Sequence, residues 1–190
     1  MKKKLSKLFG NDVLEIIPKK FQDERGYFQE LFNSEKISQL IDKNFQIIQE
    51  NHSMSSKGVL RGMHAQLDPY AQSKIVTVIA GEVIDVLVDI RLNSKTFGMY
   101  DKFRLSAENG HQLYVSKGFA HGFLVVSDFA EVIYKVDQIY SPNHEFTLNW
   151  DDPEVGINWE NEILKVSDKD SNGLNLRQLK DYLEIGNNNI

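Results

Sequence analysis

The chain has 190 residues, 41% hydrophobic and 26% charged, with a formal net charge of -5 and no cysteine. One soluble domain with a sizeable core is the expectation, and the acidic balance argues against binding nucleic acid by overall charge. The missing cysteines rule out disulfides, thiolate nucleophiles and cysteine-ligated metal centres.

The N-terminus is basic (Lys2, Lys3, Lys4, Lys7), but Asn11, Asp12 and Glu15 interrupt any apolar stretch behind it. A signal peptide is therefore not expected, and no apolar run reaches transmembrane length. A cytoplasmic protein without membrane attachment is the simplest expectation. Residues 1–10 and 186–190 are expected as flexible termini of one domain spanning 1–190. Residues 34–43 predict a short helix with Ile37, Leu40 and Ile41 on one face. Strands are predicted over 74–81, 82–90, 99–105, 112–115, 123–126 and 131–136. In the second of these, Ile84, Val86, Val88 and Ile90 share one face, and Asp85 and Asp89 take the other. Gly81-Glu82, Asn109-Gly110, Ser127-Asp128 and Ser141-Pro142-Asn143 read as turns. Residues 175–185 predict a second helix, with Leu176, Leu179 and Leu183 at helical spacing and Gly186 as its stop. Many short strands with regular turns mean a mainly β sandwich or barrel, with the helices outside it.

Two runs stand out. One is Gly58-Val59-Leu60-Arg61-Gly62-Met63-His64-Ala65-Gln66, the other Lys117-Gly118-Phe119-Ala120-His121-Gly122-Phe123. Each sets a histidine among apolar residues and glycines in strand-like sequence. A histidine there faces a barrel interior or a cleft, and its ordinary pKa of about 6.5 suits proton transfer. Metal ligation fits poorly. A barrel metal site needs two histidines one residue apart, a nearby carboxylate and a distant histidine, whereas Ala65-Gln66 follows His64 and only His121 could be the distant ligand. No G-x-G-x-x-G or P-loop is present, so phosphate would have to be held by side chains such as Arg25, Arg61, Lys74 and Lys169.

The ordered set of motifs resembles the dTDP-4-dehydrorhamnose 3,5-epimerase family. It runs from Asp23-Glu24-Arg25-Gly26-Tyr27-Phe28 through Gln49-Glu50-Asn51-His52-Ser53, the two histidine runs, Gln72-Ser73-Lys74 and Tyr134-Lys135 to Tyr140-Ser141-Pro142 and Ser167-Asp168-Lys169-Asp170. The resemblance covers residues 21–170. It implies a cupin-like jelly roll, or double-stranded β-helix, acting as a homodimer on a dTDP-linked 4-keto-6-deoxy sugar without metal or cofactor. It further implies His64 as the base at C3 and C5, Asp170 as the carboxylate that orients it, Tyr134 as the acid on the opposite face, and Lys74 as the cation near the C4 oxygen. Tyr140, with Phe21, would stack on the thymine. Arg25, Glu30, Gln49, Asn51, Arg61, His121, Glu145 and Lys169 would contact the substrate.

The chemistry supports those residue types. Removing a proton next to a ketone requires stabilising the enolate, and inversion requires an acid and a base on opposite faces. Plainer readings stand beside these. Alone, His64 reads first as a satisfied core histidine, and Arg61 as a buried partner of Asp85 or Asp89. Those two aspartates and Arg91 read as structural, and His52, His111 and His144 as surface residues. Ala65, Met63, Ser116 and Tyr70-Ala71 depart from the usual family pattern and leave the sugar and nucleotide open. The alternatives are a 3- or 5-epimerase for another nucleotide-linked 4-keto sugar, or a cupin-like sugar-binding protein that has lost catalysis.

Overall fold

The structure, a computed structural model, describes residues 1–187. The chain opens with strands β1 (Lys2–Ser6) and β2 (Gly10–Ile17), a hairpin of β3 (Lys20–Asp23) and β4 (Gly26–Gln29), and helix α1 (Ser34–Ile41). There follow β5 (Gln49–Ser56), β6 (Leu60–Gln66), β7 (Lys74–Ala80), β8 (Glu82–Asp89) and β9 (Tyr100–Ser106). Next come β10 (Gln112–Val115), β11 (Phe119–Val125), β12 (Phe129–Val136) and β13 (Glu145–Thr147), then helices α2 (Asp168–Ser171) and α3 (Leu176–Asn187). One sheet has the order β1-β2-β10-β7-β12-β5, the other β13-β6-β11-β8-β9. Face to face they make the cupin-like jelly roll expected from the sequence.

Three apolar clusters hold it. Between the sheets lie Val13, Val76, Leu87, Leu105, Phe119, Phe123 and Val132 with their neighbours. Outside the six-stranded sheet, Ile37 and Ile41 of α1 pack on Leu14, Ile16, Ile75 and Tyr114. Outside the five-stranded sheet, Ile84, Val86, Val88 and Leu124 are covered by the C-terminal segment through Leu148, Val155, Trp159 and Leu179. Burying one such side chain is worth about 1.5–3 kcal/mol, so uncovering these four would cost about as much as the net stability of a typical domain. The C-terminal segment is therefore part of the fold. The apolar face of β8 is its outer face, and Asp85 and Asp89 point between the sheets. Asp89 is neutralised there by Arg91 at 2.7 Å, Ser94 and Thr96 at 2.6 Å each.

Three expectations change. Residues 2–6 form an edge strand, with Lys4 opposite Glu15 and bonded to it at 3.1 Å; exposed lysines are what a sheet edge carries to stay unpaired. Helix α3 runs through Gly186 to Asn187. A glycine costs a helix only about 1 kcal/mol relative to alanine, too little to end one docked through Leu176, Leu179 and Leu183. The rest of the expected tail, 188–190, lies outside the described residues. His111 is half-buried and bonded to Glu15 at 2.9 Å. Among the described residues no helix is long and apolar enough to cross a membrane.

One irregularity positions the site. Between β6 and β11, His121 pairs with His64 but Phe123 pairs with Arg61, so three steps along β6 match two along β11. The extra residue is a bulge, and a bulge reverses the alternation of faces. Arg61 and His64, which a regular strand would send to opposite faces, line the same cleft. The bulge needs glycine on both strands. Gly62 has φ +128°, and a Cβ there would sit 2.5 Å from the Gly122 Cα; a Cβ on Gly122 would sit 2.8 Å from the Arg61 carbonyl oxygen. We expect Gly62→Ala to lose on the order of 3 kcal/mol of stability in urea unfolding, against roughly 1 for Gly10→Ala, whose φ of +59° is unfavourable but whose surroundings are open. Equal losses would mean that the close approach contributes nothing.

Candidate active site

His64 and His121 are cross-strand neighbours on the inner face, each held by a buried carboxylate. His64 Nε2 lies 2.6 Å from Asp170 Oδ1, and His121 Nε2 lies 2.8 Å from Asp85 Oδ2. Asp170 is 3% exposed. It comes from the C-terminal cover, where Ser167 caps α2 by accepting from the Asp170 N–H at 3.1 Å. Its second oxygen accepts from the Gly62 N–H, on the bulge, also at 3.1 Å. Burial works against ionising this carboxyl, but the His64 ring, the Gly62 N–H and the Ser167 hydroxyl together hold its pKa below the usual value. With Nε2–H donated to Asp170, the free lone pair of His64 is on Nδ1.

The cleft in front of the histidines has a volume of about 250 Å³ and is also lined by Asn51, Arg61, Lys74, Tyr134, Tyr140 and Glu145. It adjoins a cavity of about 560 Å³ that Arg61 and His64 share with Lys165, Lys169 and Asp170. Lys74 has no carboxylate within ion-pairing distance among the described residues. Desolvation lowers its pKa to about 8, against the opposing pull of the Asp85 and Glu145 charges. The Tyr134 ring stands edge-on to His121 at 6.2 Å and beside Phe123 at 6.3 Å. Burial pushes its phenol well above the ordinary value, and its hydroxyl lies 3.1 Å from Ser53 Oγ. At the rim, Glu145 accepts from the Tyr140 hydroxyl at 2.7 Å and from Lys169 at 2.5 Å. Gln49 holds the Tyr140 N–H at 2.9 Å and donates to Asn51 at 2.8 Å.

Eleven of the residues singled out from sequence thus meet at this end of the roll: His64, Tyr134, Asp170, Lys74, Gln49, Asn51, Arg61, His121, Tyr140, Glu145 and Lys169. Phe21, Arg25 and Glu30 do not line the cleft of their own chain. The β3–β4 hairpin is a separate two-stranded sheet, anchored to the β9–β10 turn by Lys20 and Gln29. Arg25 is exposed and paired with Asp23 at 2.6 Å, and Glu30 is paired with Lys36 at 2.7 Å. Arg61 pairs with neither Asp85 nor Asp89; it donates to Ser55 Oγ at 2.8 Å. Of the departures from the family pattern, Tyr70-Ala71 lies beside the rim, with Tyr70 packed on His144 at 4.5 Å and Ala71 next to the cleft-lining Gln72, and the other three sit away from the cleft. Ala65 and Met63 face the outer cluster, and Ser116 leans on Asp12. Asp85 and Ser53 were missed from sequence. The one signal for Ser53 is the polar alternation Asn51, Ser53, Ser55 along β5.

Moving a proton at a carbon beside a carbonyl takes a base, a cation where the oxyanion grows, and an acid. A jelly roll that gathers those residue types at one mouth is an isomerase of carbon acids. A family model for dTDP-4-dehydrorhamnose 3,5-epimerase matches residues 9–178. The dTDP-4-dehydrorhamnose 3,5-epimerase of Shigella flexneri is 49% identical over 162 residues, covering 85% of this chain and 90% of that one. The dTDP-4-dehydrorhamnose 3-epimerase of Streptomyces niveus is 34% identical, covering 89% and 82%. The dTDP-6-deoxy-D-glucose-3,5-epimerase of Legionella pneumophila Philadelphia 1, solved with dTDP-4-keto-L-rhamnose, matches with a TM-score of 0.90 and 40% identity over 96% of both chains. The chain belongs to the dTDP-4-dehydrorhamnose 3,5-epimerase family.

The depressed Lys74 is open to direct measurement. In reductively ¹³C-methylated protein its signal should titrate near pH 8, well below the other lysines. Asp85→Asn should move that midpoint lower, because the charge opposing desolvation is gone. A Lys74 midpoint near 10.5 would show that the ammonium is hydrated.

Proposed function

We propose that the protein inverts C3 and C5 of dTDP-4-dehydro-6-deoxy-D-glucose, giving dTDP-4-dehydro-L-rhamnose. The observation that carries this is the His64–Asp170 pair, 2.6 Å apart, facing the same cleft as Lys74 and Tyr134. His64 Nδ1 takes the proton from the carbon next to the C4 ketone, and Asp170 steadies the imidazolium that forms. The C–H electron pair moves into the carbonyl, and the Lys74 ammonium, charged below about pH 8, stabilises the oxyanion. Collapse of the enolate takes the Tyr134 phenolic proton on the opposite face. Both α carbons flank the same ketone, so one set of groups serves both. The ketone is the electron sink, and no oxidant enters the balance. Arg61 and Lys169 supply cations for the diphosphate, and Tyr140, 49% exposed at the rim, offers a face for the thymine. The higher identity to a 3,5-epimerase than to a 3-epimerase favours inversion at both carbons.

In deuterated water, dTDP-4-keto-6-deoxyglucose should gain deuterium at C3 and C5 and change configuration, both followed by NMR. His64→Ala should remove about 10²–10⁴-fold of both exchange and inversion, the usual contribution of a general base. Tyr134→Phe should still exchange but invert little, since the proton can return only from His64. Wild-type inversion by Tyr134→Phe would assign the acid elsewhere.

We propose further that the working form is a homodimer. β5 is an eight-residue edge strand that exposes Met54, and Phe21, Tyr27 and Phe28 are exposed on the β3–β4 hairpin. Long unpaired strand edges and exposed aromatic patches are ordinarily covered. Substrate contacts by Phe21, Arg25 and Glu30 are compatible with their position only if the hairpin of one copy reaches the cleft of the other. Light scattering should report a dimer. Arg25→Ala and His64→Ala, each impaired alone, should regain activity when co-expressed, because a mixed dimer then holds one intact site. A monomer, or no regain, overturns this arrangement.

A further inference from the structure

β5 turns Asn51, Ser53 and Ser55 toward the cleft side, a polar row on a strand whose partner β12 buries Val132 between the sheets. Asn51 accepts from Gln49, and Ser55 accepts from Arg61. Ser53 Oγ has one side-chain partner among the described residues, the Tyr134 hydroxyl at 3.1 Å. In the register Tyr134 faces Asn51 and Ser53 faces Val132, so the contact is the diagonal one within a single face. We propose that Ser53 is the positioning residue for Tyr134 and the route by which its proton is replaced.

The inference rests on Tyr134 being the acid. Each inversion leaves an imidazolium at His64 and a phenolate at Tyr134. The His64 side chain is 32% exposed and can lose its proton to water. Tyr134 is partly exposed too, but burial desolvates its phenol. Its ring is flanked by His121 and Phe123, and the His121 Nε2 is held by Asp85. Ser53 lines the open cleft and is itself partly exposed. Its hydroxyl proton passes to the phenolate as its oxygen takes a proton from water, so the serine is unchanged. The imidazolium returns the matching proton to solvent, and the cycle closes with no net proton consumed. Two inversions on one bound sugar require this reset between them, so a slow reset releases singly inverted product.

The test pairs Ser53→Ala with Ser53→Thr, which keeps the hydroxyl. In substrate-free protein labelled at tyrosine ¹³Cζ, hydroxyl exchange of Tyr134 with water is read by NMR, with Tyr134→Phe assigning the signal. Exchange should slow about tenfold in Ser53→Ala and recover in Ser53→Thr; this is less than the usual 10²–10⁴ for a proton-transfer group because water can partly fill the gap. On dTDP-4-keto-6-deoxyglucose in deuterated water, Ser53→Ala should keep its wash-in while inversion falls by a similar factor, with singly inverted sugar accumulating. Unchanged hydroxyl exchange, or wash-in and inversion falling together, overturns the proposal. If the unmodified protein gives no wash-in on this ketone, the reading of the reaction and the relay built on it both fall. The hydroxyl exchange then judges the Ser53–Tyr134 coupling separately.

Discussion

One extra residue in β6 governs the working end of this molecule. In a strand of strict period two, Arg61 and His64 cannot share a face, and a candidate phosphate ligand would be on the far side of the sheet from the candidate base. The bulge at Gly62 brings them together and leaves the Gly62 N–H free to bond Asp170. It exists because two glycines meet where any side chain would collide with backbone. The glycine-flanked histidines of the sequence are thus one structural device, split across two strands.

Around that device the roll takes charge out of water, and each buried group is treated differently. Asp170 and Asp85 each receive an imidazole, and Glu145 receives Lys169 and a phenol. Among the described residues Lys74 receives no direct partner, only the distant fields of Asp85 and Glu145, and its pKa falls to about 8. An ammonium satisfied at close range would have little left to offer a developing oxyanion. One kept desolvated, with its counter-charges set back, is more responsive to charge that appears in front of it.

Much of the body was legible from sequence for physical reasons. Strands between residues 74 and 136 advertise themselves by alternation and by glycine or asparagine turns, and β10 falls on the expected 112–115. The outer helices show through leucine and isoleucine spacing. β1 did not, because an edge strand of lysines looks like a solvated tail. Asp85 read as structural because alternation tells which residues share a face and not which face is inside. Asp170 carried no local signal: its partner is 106 residues away, and α2 is four residues of polar sequence. Only the resemblance brought it forward. The hairpin residues Phe21, Arg25 and Glu30 show the converse, since a motif preserves order along a chain but not which copy of the chain uses it.

The carboxylate that bonds His64 does not belong to either sheet. Asp170 is carried by the segment that closes over the outer face of β6, β8 and β11, and it reaches His64 past the edge of the bulge. Docking of that segment and arming of the histidine are therefore a single event. Because that cover is part of the fold, lifting it costs about as much as unfolding the domain, so the histidine keeps its carboxylate for as long as the roll stays folded. The grip of Leu148, Val155, Trp159 and Leu179 on the outer face thus keeps Asp170 beside His64, from residues that do not line the cleft.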